Sequence, residues 1–234
     1  MAVCAHGANY PSCPDEKVAK EFNKADTKVR SFKKHVLHEQ ARKGGLHVFD
    51  IDETLFKTTA KIHVKDKDGK TVRSLSNAEF NDHKLSPGHS YGFDEFRRAD
   101  KFSKESEPIH PMIAKLRKIH ANVKNSPGSR VIMNTARADF DDKDKFLGKF
   151  KQHGIDIDDI HVHRAGNIKG DQAPAEKKNV VLRKHLDSGN YRHATMYDDS
   201  EKNLNHFLKL KHEYPHMEFH AYHVKHDGST KKIK

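Results

Sequence analysis

Cysteine is almost missing from this chain: Cys4 and Cys13 are the only two in 234 residues, and both precede the apolar segments that could build a core. That excludes a disulfide framework and points to a reducing compartment. No uncharged stretch is long enough to span a bilayer. The start, Met1-Ala2-Val3-Cys4-Ala5-His6-Gly7, lacks the basic segment and apolar run of an export leader. Internal repeats and low-complexity tracts are absent as well. A soluble, cytoplasmic protein with no membrane partner is the expectation.

Charge is abundant. Charged residues make up 33% of the chain against 34% hydrophobic, so much of it must be solvated surface, and the formal net charge is +11 with 20 histidines counted as neutral. Mild acid would make the surface more cationic still. Such a balance favours acidic partners: nucleic acid, phosphorylated ligands or an anionic surface. The plainer explanation is that lysines keep a small protein soluble. Among the histidines, His161 with His163, and His216, His220 and His223, form the tightest groups. Histidines scattered over strands and helix surfaces are more often structural than zinc ligands, and no zinc site is expected.

The chain is long enough for one large α/β domain or two small ones. From Asp15 to Arg42, Val18, Phe22, Ala25, Val29, Phe32 and Val36 are spaced alternately four and three apart, a short heptad stripe. It predicts a helix that either packs on the rest of the chain or serves self-association or a partner; Gly44-Gly45 ends it and opens the first strand. Cys4, His6 and Cys13 ahead of it lack an evident fourth metal ligand. Residues 1–45 are therefore read as tail and helix, 46–224 as the main domain, and 225–234 as a polar, mobile tail.

Within the main domain an insertion runs from Phe56 to Ile109. It holds a hairpin signal around Asp68-Gly69, a capped helical turn at Ser76-Asn77-Ala78-Glu79-Phe80, and an aromatic segment through Phe93, Phe96 and Phe102. Beyond it, helical spacing at Met112, Ile113, Leu116 and Ile119, strand at Val131 to Met133, helix around Phe146, Leu147 and Phe150, and strand through Ile160 and Val162 alternate. Helix at Leu204, Phe207 and Leu208 and a strand from Met217 to Val224 complete the series. This rhythm predicts a doubly wound, mainly parallel sheet.

One stretch carries the chemistry. In His47-Val48-Phe49-Asp50-Ile51-Asp52-Glu53-Thr54-Leu55, two carboxylates one residue apart stand where an apolar strand runs into a polar loop. On a strand, residues two apart share a face, so Asp50 and Asp52 start on one side. Alone, such a pair is usually a turn cap or a solvated edge. Three further segments end apolar runs with suitable groups: Val131-Ile132-Met133-Asn134-Thr135-Ala136-Arg137, the helix opened by Lys178, and Ala194-Thr195-Met196-Tyr197-Asp198-Asp199.

At these residues the chain resembles the haloacid dehalogenase superfamily of aspartate-nucleophile phosphatases. Asp50-Ile51-Asp52-Glu53-Thr54 resembles the first motif, Thr135 the second, a lysine the third and Asp198-Asp199 the last. Thr135-Ala136-Arg137 and the helix from Lys178 to Leu186 are also similar to the phosphatase half of phage polynucleotide kinase/3′-phosphatase. Lys178 is the preferred lysine, with Lys177 and Lys169 as rivals.

The resemblance spans about Leu46 to Val224. It implies a Rossmannoid sheet with a small cap at the insertion, and a Mg²⁺-dependent phosphomonoester hydrolase. Asp50 would be the nucleophile that forms an aspartyl-phosphate. Asp52 would be acid and then base, and would lend its backbone carbonyl to the metal. Asp198 and Asp199 would complete the metal shell, Thr135 would hydrogen-bond a phosphoryl oxygen, and Lys178 would offset charge. Arg137 would grip phosphate bidentately, or else form a surface ion pair. Thr54 would order the loop.

A small cap leaves the crevice open, which suits a bulky substrate. Nucleic-acid ends or nucleotides fit the basic charge. Glu53, where many relatives have Gly, also occurs in phosphatases of protein serine tails, so phosphoproteins or small metabolites remain alternatives. So does a catalytically idle protein that uses its basic surface for binding.

Overall fold

A computed structural model describes residues 44–233. The helix expected over Asp15 to Arg42 and the Cys4, His6, Cys13 group lie outside them. The first strand, β1 (Gly44–Phe49), is buried along almost its whole length. The insertion that follows contains β2 (Phe56–Lys57), β3 (Ile62–Lys65), β4 (Thr71–Leu75), α1 (Asn77–Asp82), β5 (Ser90–Gly92), α2 (Ala99–Glu105) and β6 (Glu107–Pro108). Strand and helix then alternate through α3 (His110–Lys124), β7 (Arg130–Thr135), α4 (Lys143–Gln152), β8 (His161–Arg164) and α5 (Pro174–Leu186). The chain closes with β9 (Tyr191–Asp198), α6 (Glu201–Lys209), β10 (Glu218–Val224) and β11 (Thr230–Ile233).

The main sheet has the order β11-β10-β9-β1-β7-β8, parallel except for β11. Central strands of such a sheet are covered on both faces and so are apolar on both. In β1, Leu46 and Val48 face one core with Leu182, Leu186, Leu204 and Phe207, whereas Phe49 faces the other with Met112, Leu116, Phe146 and Phe150. In β7, Ile132 joins the first core and Val131 and Met133 the second. Helices α5 and α6 thus cover one face, and α3 and α4 the other. The expected α/β class and mostly parallel sheet are present.

Local chemistry sets the helix starts. Proline stands in the first turn of α3 and α5, where its missing N–H is no loss. Asp142 caps α4 by accepting from the Lys145 N–H at 2.9 Å. In the insertion, Ser76 and Glu79 form a reciprocal capping box on α1. Asp68-Gly69 is the turn between β3 and β4, with Gly69 at φ 78°. The three-stranded β4-β3-β5 sheet has its own small core of Ala60, Ile62, Val64, Leu75 and Phe96.

The expectation of a mobile tail from residue 225 needs correction. Asp227-Gly228 forms a tight turn closed by the Lys225 N–H to the Ser229 carbonyl at 2.9 Å, and β11 pairs antiparallel with β10. The open flank of β10 supplies unpaired backbone groups, and Ile233 packs against the core beneath it. Among the described residues no helix is long and apolar enough to cross a membrane.

Candidate active site

Strand register brings the separated motifs together. Phe49 is level with Met133 on one side and Tyr197 on the other, so Asp50, Asn134 and Asp198 stand side by side at the end of the central strands. The Asp50 N–H donates to the Tyr197 carbonyl at 3.0 Å. This is the carboxyl edge of the parallel strands, flanking the central strand from which the order runs outward both ways, the place where open α/β sheets take ligands.

After Asp50 the chain folds into a tight loop. The N–H groups of Leu55 and Phe56 both donate to the Ile51 carbonyl, and the Glu53 N–H donates to Phe56. Glu53 adopts φ 54°, a left-handed conformation that glycine reaches most easily and that costs other residues about 1–2 kcal/mol. Its side chain compensates in part, accepting from the Thr58 N–H at 3.0 Å. The Thr54 hydroxyl is buried with no protein partner, so it does not order the loop by a hydrogen bond.

Lys178 is the centre of the site. It is buried on α5, and its Nζ lies 2.7 Å from Asp50 Oδ1 and 2.7 Å from Asp198 Oδ2. Asn134 secures the helix against β7 by donating to the Lys178 carbonyl at 3.0 Å. Asp198 also accepts from the Ser200 N–H and from Asn203 Nδ2, each at 2.9 Å. Of the rival lysines, Lys169 is exposed and Lys177 half-buried, and neither reaches a carboxylate of the site.

Asp50, Asp198 and Asp199 each present an oxygen within 4.8 Å of the other two. Burial raises the Asp50 carboxyl to about 7; Lys178 works against this, while Asp198 and Asp52 add to it. Burial, then the charges of Asp198 and Asp50, also lifts Asp199 well above the ordinary carboxylate range. Burial alone would lower Lys178, yet Asp198 and Asp50 overcome it and hold the ammonium above its usual value. Three carboxylates beside one ammonium cannot all stay ionised in so poorly solvated a place, which is why Asp50 and Asp199 hold their protons to higher pH. A cation with a preference for oxygen ligands would lift that restriction.

Asp52 is turned away from this group. Its two oxygens accept from Arg137 Nε at 2.8 Å and Nη2 at 2.6 Å. Arg137 Nη1 donates to the Phe96 carbonyl at 2.8 Å, Nη2 also reaches the Thr58 hydroxyl, and the guanidinium lies against the rings of Phe96, Phe102 and Phe140. Four of the five guanidinium donors are thereby engaged by protein.

The two roles expected of Arg137 both need correction. With so few donors left it does not offer a bidentate grip to phosphate, and its ion pair is buried, with its side chain only 1% exposed. Thr135 is fully buried and its Oγ1 accepts from the Arg137 N–H at 3.1 Å, which leaves its own hydroxyl proton to donate. Asp50 is only 5% exposed, so the crevice expected to be open is closed at the carboxylate itself, and Phe96 and Phe102 of the insertion lie against Arg137.

Sequence reasoning missed Asn203, Asn134 and the Phe96 carbonyl. Asn203 had a local signal, lying one helical turn past the Ser200 cap of α6. A backbone carbonyl contributed by a distant segment has none. Compared with protein-family models, with curated proteins and with solved structures, the chain matches none.

Proposed function

We propose that this protein is a divalent-metal-dependent phosphomonoester hydrolase that works through an aspartyl-phosphate on Asp50. The observation that carries the reading is the buried group in which Lys178 bridges Asp50 and Asp198 beside Asp199, at the carboxyl edge of a parallel sheet. The resemblance of the four motifs to the haloacid dehalogenase superfamily supports it.

Phosphate monoesters resist attack because their oxygens repel an anionic nucleophile. Asp50 attacks phosphorus, an Asp50 oxygen–phosphorus bond forms, and the ester bond to the leaving oxygen breaks. Asp52, drawn off one of its two Arg137 bonds and taking up a proton as the ester enters, gives that oxygen its proton and then takes one from the water that hydrolyses the acyl phosphate. Lys178 holds Asp50 in place and offsets charge; Thr135 donates its hydroxyl proton to a phosphoryl oxygen. Arg137 fixes the direction of the Asp52 carboxyl. Asp50, Asp198 and Asp199, with the Asp52 carbonyl, would hold Mg²⁺, which supplies charge neutralisation to the phosphoryl group.

The substrate class proposed is an anionic phosphate ester of nucleic-acid ends or nucleotides, supported by the net charge of +11. Because Asp50 is buried, a bulky ester requires the site to open before it can reach the carboxylate. Release of phosphate from an aryl phosphate with Mg²⁺, in wild type and Asp50→Asn, tests the reaction. A loss of at least about 100-fold is expected on removing the nucleophile. Equal rates in the two proteins would instead favour a non-catalytic binder. On a 3′-phosphorylated oligonucleotide, turnover should fall as salt rises; preference for phosphopeptides or sugar phosphates in the same panel would replace the substrate class and keep the reaction.

A further inference from the structure

At the edge of the main sheet, β8 carries His163, and the last turn of α5 carries His185. Their Nε2 atoms are 2.9 Å apart, and the rings stand nearly perpendicular with centroids 4.8 Å apart. His161, two residues earlier on the same strand and hence on the same face, has its ring centroid 6.0 Å from that of His163. We propose that His163 and His185 form a second metal site, taking a borderline transition-metal dication such as Ni²⁺, Cu²⁺ or Zn²⁺, with the exposed His161 able to swing in as a third ligand.

Distance favours this assignment. Two imidazole nitrogens each about 2.05 Å from one ion are about 2.9 Å apart when they take adjacent corners of a square or octahedron, and about 3.3 Å apart in a tetrahedron. The observed separation matches the first arrangement, the geometry of Cu²⁺ and Ni²⁺, and Zn²⁺ requires a small widening. Protonation favours it too, since a histidine must be neutral to ligate. Burial, then His185 and His161 with Lys184 and Arg164, lowers His163 to about 4, and burial followed by Arg130 lowers His185. Both rings are therefore uncharged at neutral pH; one Nε2 donates its proton to the other across the 2.9 Å contact, and a bound ion would take the place of that shared proton, leaving each ring with its one proton on Nδ1. Arg130, Arg164 and Lys184 also repel a dication and weaken its binding, but both rings are half-buried rather than sealed, so an ion can enter from solvent.

The donor set distinguishes this site from the acidic centre. Imidazole alone attracts Ni²⁺ or Cu²⁺ far better than Mg²⁺, whereas the three carboxylates suit a hard cation. An ion here would join the edge strand to α5, the helix that carries Lys178.

Calorimetric titration with Ni²⁺ in buffer saturated with Mg²⁺ tests the site, using wild type, His163→Gln, His185→Gln, the double variant and His220→Gln as a control. Ni²⁺ bound elsewhere, including at Cys4 and Cys13, is common to all five proteins and cancels in the comparison. The double variant should bind one equivalent fewer than wild type, each single variant should lose at least about tenfold in affinity at this site, and the control should match wild type. Ni²⁺ should also raise the melting temperature of wild type more than that of the double variant, because an ion bridging strand and helix binds only the folded chain. Unchanged stoichiometry and melting response in the double variant would mean that the two imidazoles share a hydrogen bond and nothing more. If the variants fail to fold, wild type alone decides: paramagnetic Ni²⁺ should broaden the imidazole resonances of His163 and His185 together, and resonances of these two that stay sharp at saturating Ni²⁺ overturn the site.

Discussion

At the residue scale, the decisive group is Lys178, whose ammonium is the one protein cation touching Asp50 and Asp198 among the described residues. Replacing it with methionine leaves buried carboxylates without a counter-charge, a change that typically costs about 3–5 kcal/mol. Lys178→Met should therefore unfold at markedly lower urea in metal-free buffer, and Mg²⁺ should restore part of the loss by neutralising the same carboxylates. If added Mg²⁺ stabilises neither protein, the acidic centre is not a cation site. Asp50 and Asp198 were legible in the sequence because each stands where an apolar strand ends; Lys178 was legible through its amphipathic helix, although that helix starts at Pro174 and Lys178 lies one turn inside it rather than opening it. The partner of Arg137 was not. Its ion pair joins residues 85 apart and its other side-chain hydrogen bonds come from the insertion, which no local pattern encodes. Arg137→Lys keeps the charge but loses the planar fork and the aromatic packing. On an aryl phosphate it should lower kcat by about tenfold or more with KM nearly unchanged, since Asp52, which it holds, is the acid–base residue of the proposed reaction. A rise in KM at constant kcat would return Arg137 to the substrate phosphate.

At the scale of elements, legibility followed the strength of the local signal. The β3-β4 hairpin announced itself through Asp68-Gly69, and α1 through Ser76 and Glu79, because turn and cap chemistry are written in adjacent residues. Strand β5 was missed: three residues, Ser90 to Gly92, are too few to show alternation, and pairing with β3 makes them a strand. Strand β11 was missed for another reason. Thr230-Lys231-Lys232-Ile233 reads as polar tail, yet lysines are what an outer strand displays to discourage pairing with other chains. The Asp227-Gly228 turn that returns it also rests on α3. Gly228 has φ 82°, and a Cβ there would stand 2.8 Å from Ile109 Cγ2 and 3.0 Å from Pro111 Cγ. Gly228→Ala thus combines backbone strain with a clash and should lower stability by about 1–3 kcal/mol in urea unfolding. A change under about 0.5 kcal/mol would mean that the turn is not held against α3.

For the folded body as a whole, the sequence disclosed the alternation of strand and helix but not the burial of its histidines. Composition gives 20 of them and a net charge of +11, which alone suggests a surface that simply becomes more cationic in acid. Parallel register instead gathers His47, His193 and His220 across β1, β9 and β10, with neighbouring ring centroids 5.7 and 6.4 Å apart. Burial, then the adjacent His193, lowers His47 to about 4 from its ordinary 6.5, and its Nδ1 has no protein partner. Between those two values the unfolded chain takes up a proton that the folded chain refuses. The folded state therefore keeps its full margin above pH 6.5 and loses it progressively as pH falls toward 4. Asp50 acts with the opposite sign: raised to about 7, it takes up its proton in the folded chain first, adding stability as pH falls from there toward 3.8. The two trends oppose each other, so the stability of wild type alone is a poor readout. The difference between wild type and His47→Leu isolates the first trend, because Asp50 titrates in both proteins. Urea unfolding at pH 7, 6 and 5 should show wild type losing ground to the variant at each step down. A difference that stays constant over that range would mean that His47 protonates as readily in the folded protein as in the unfolded chain, and that the sheet does not shield it.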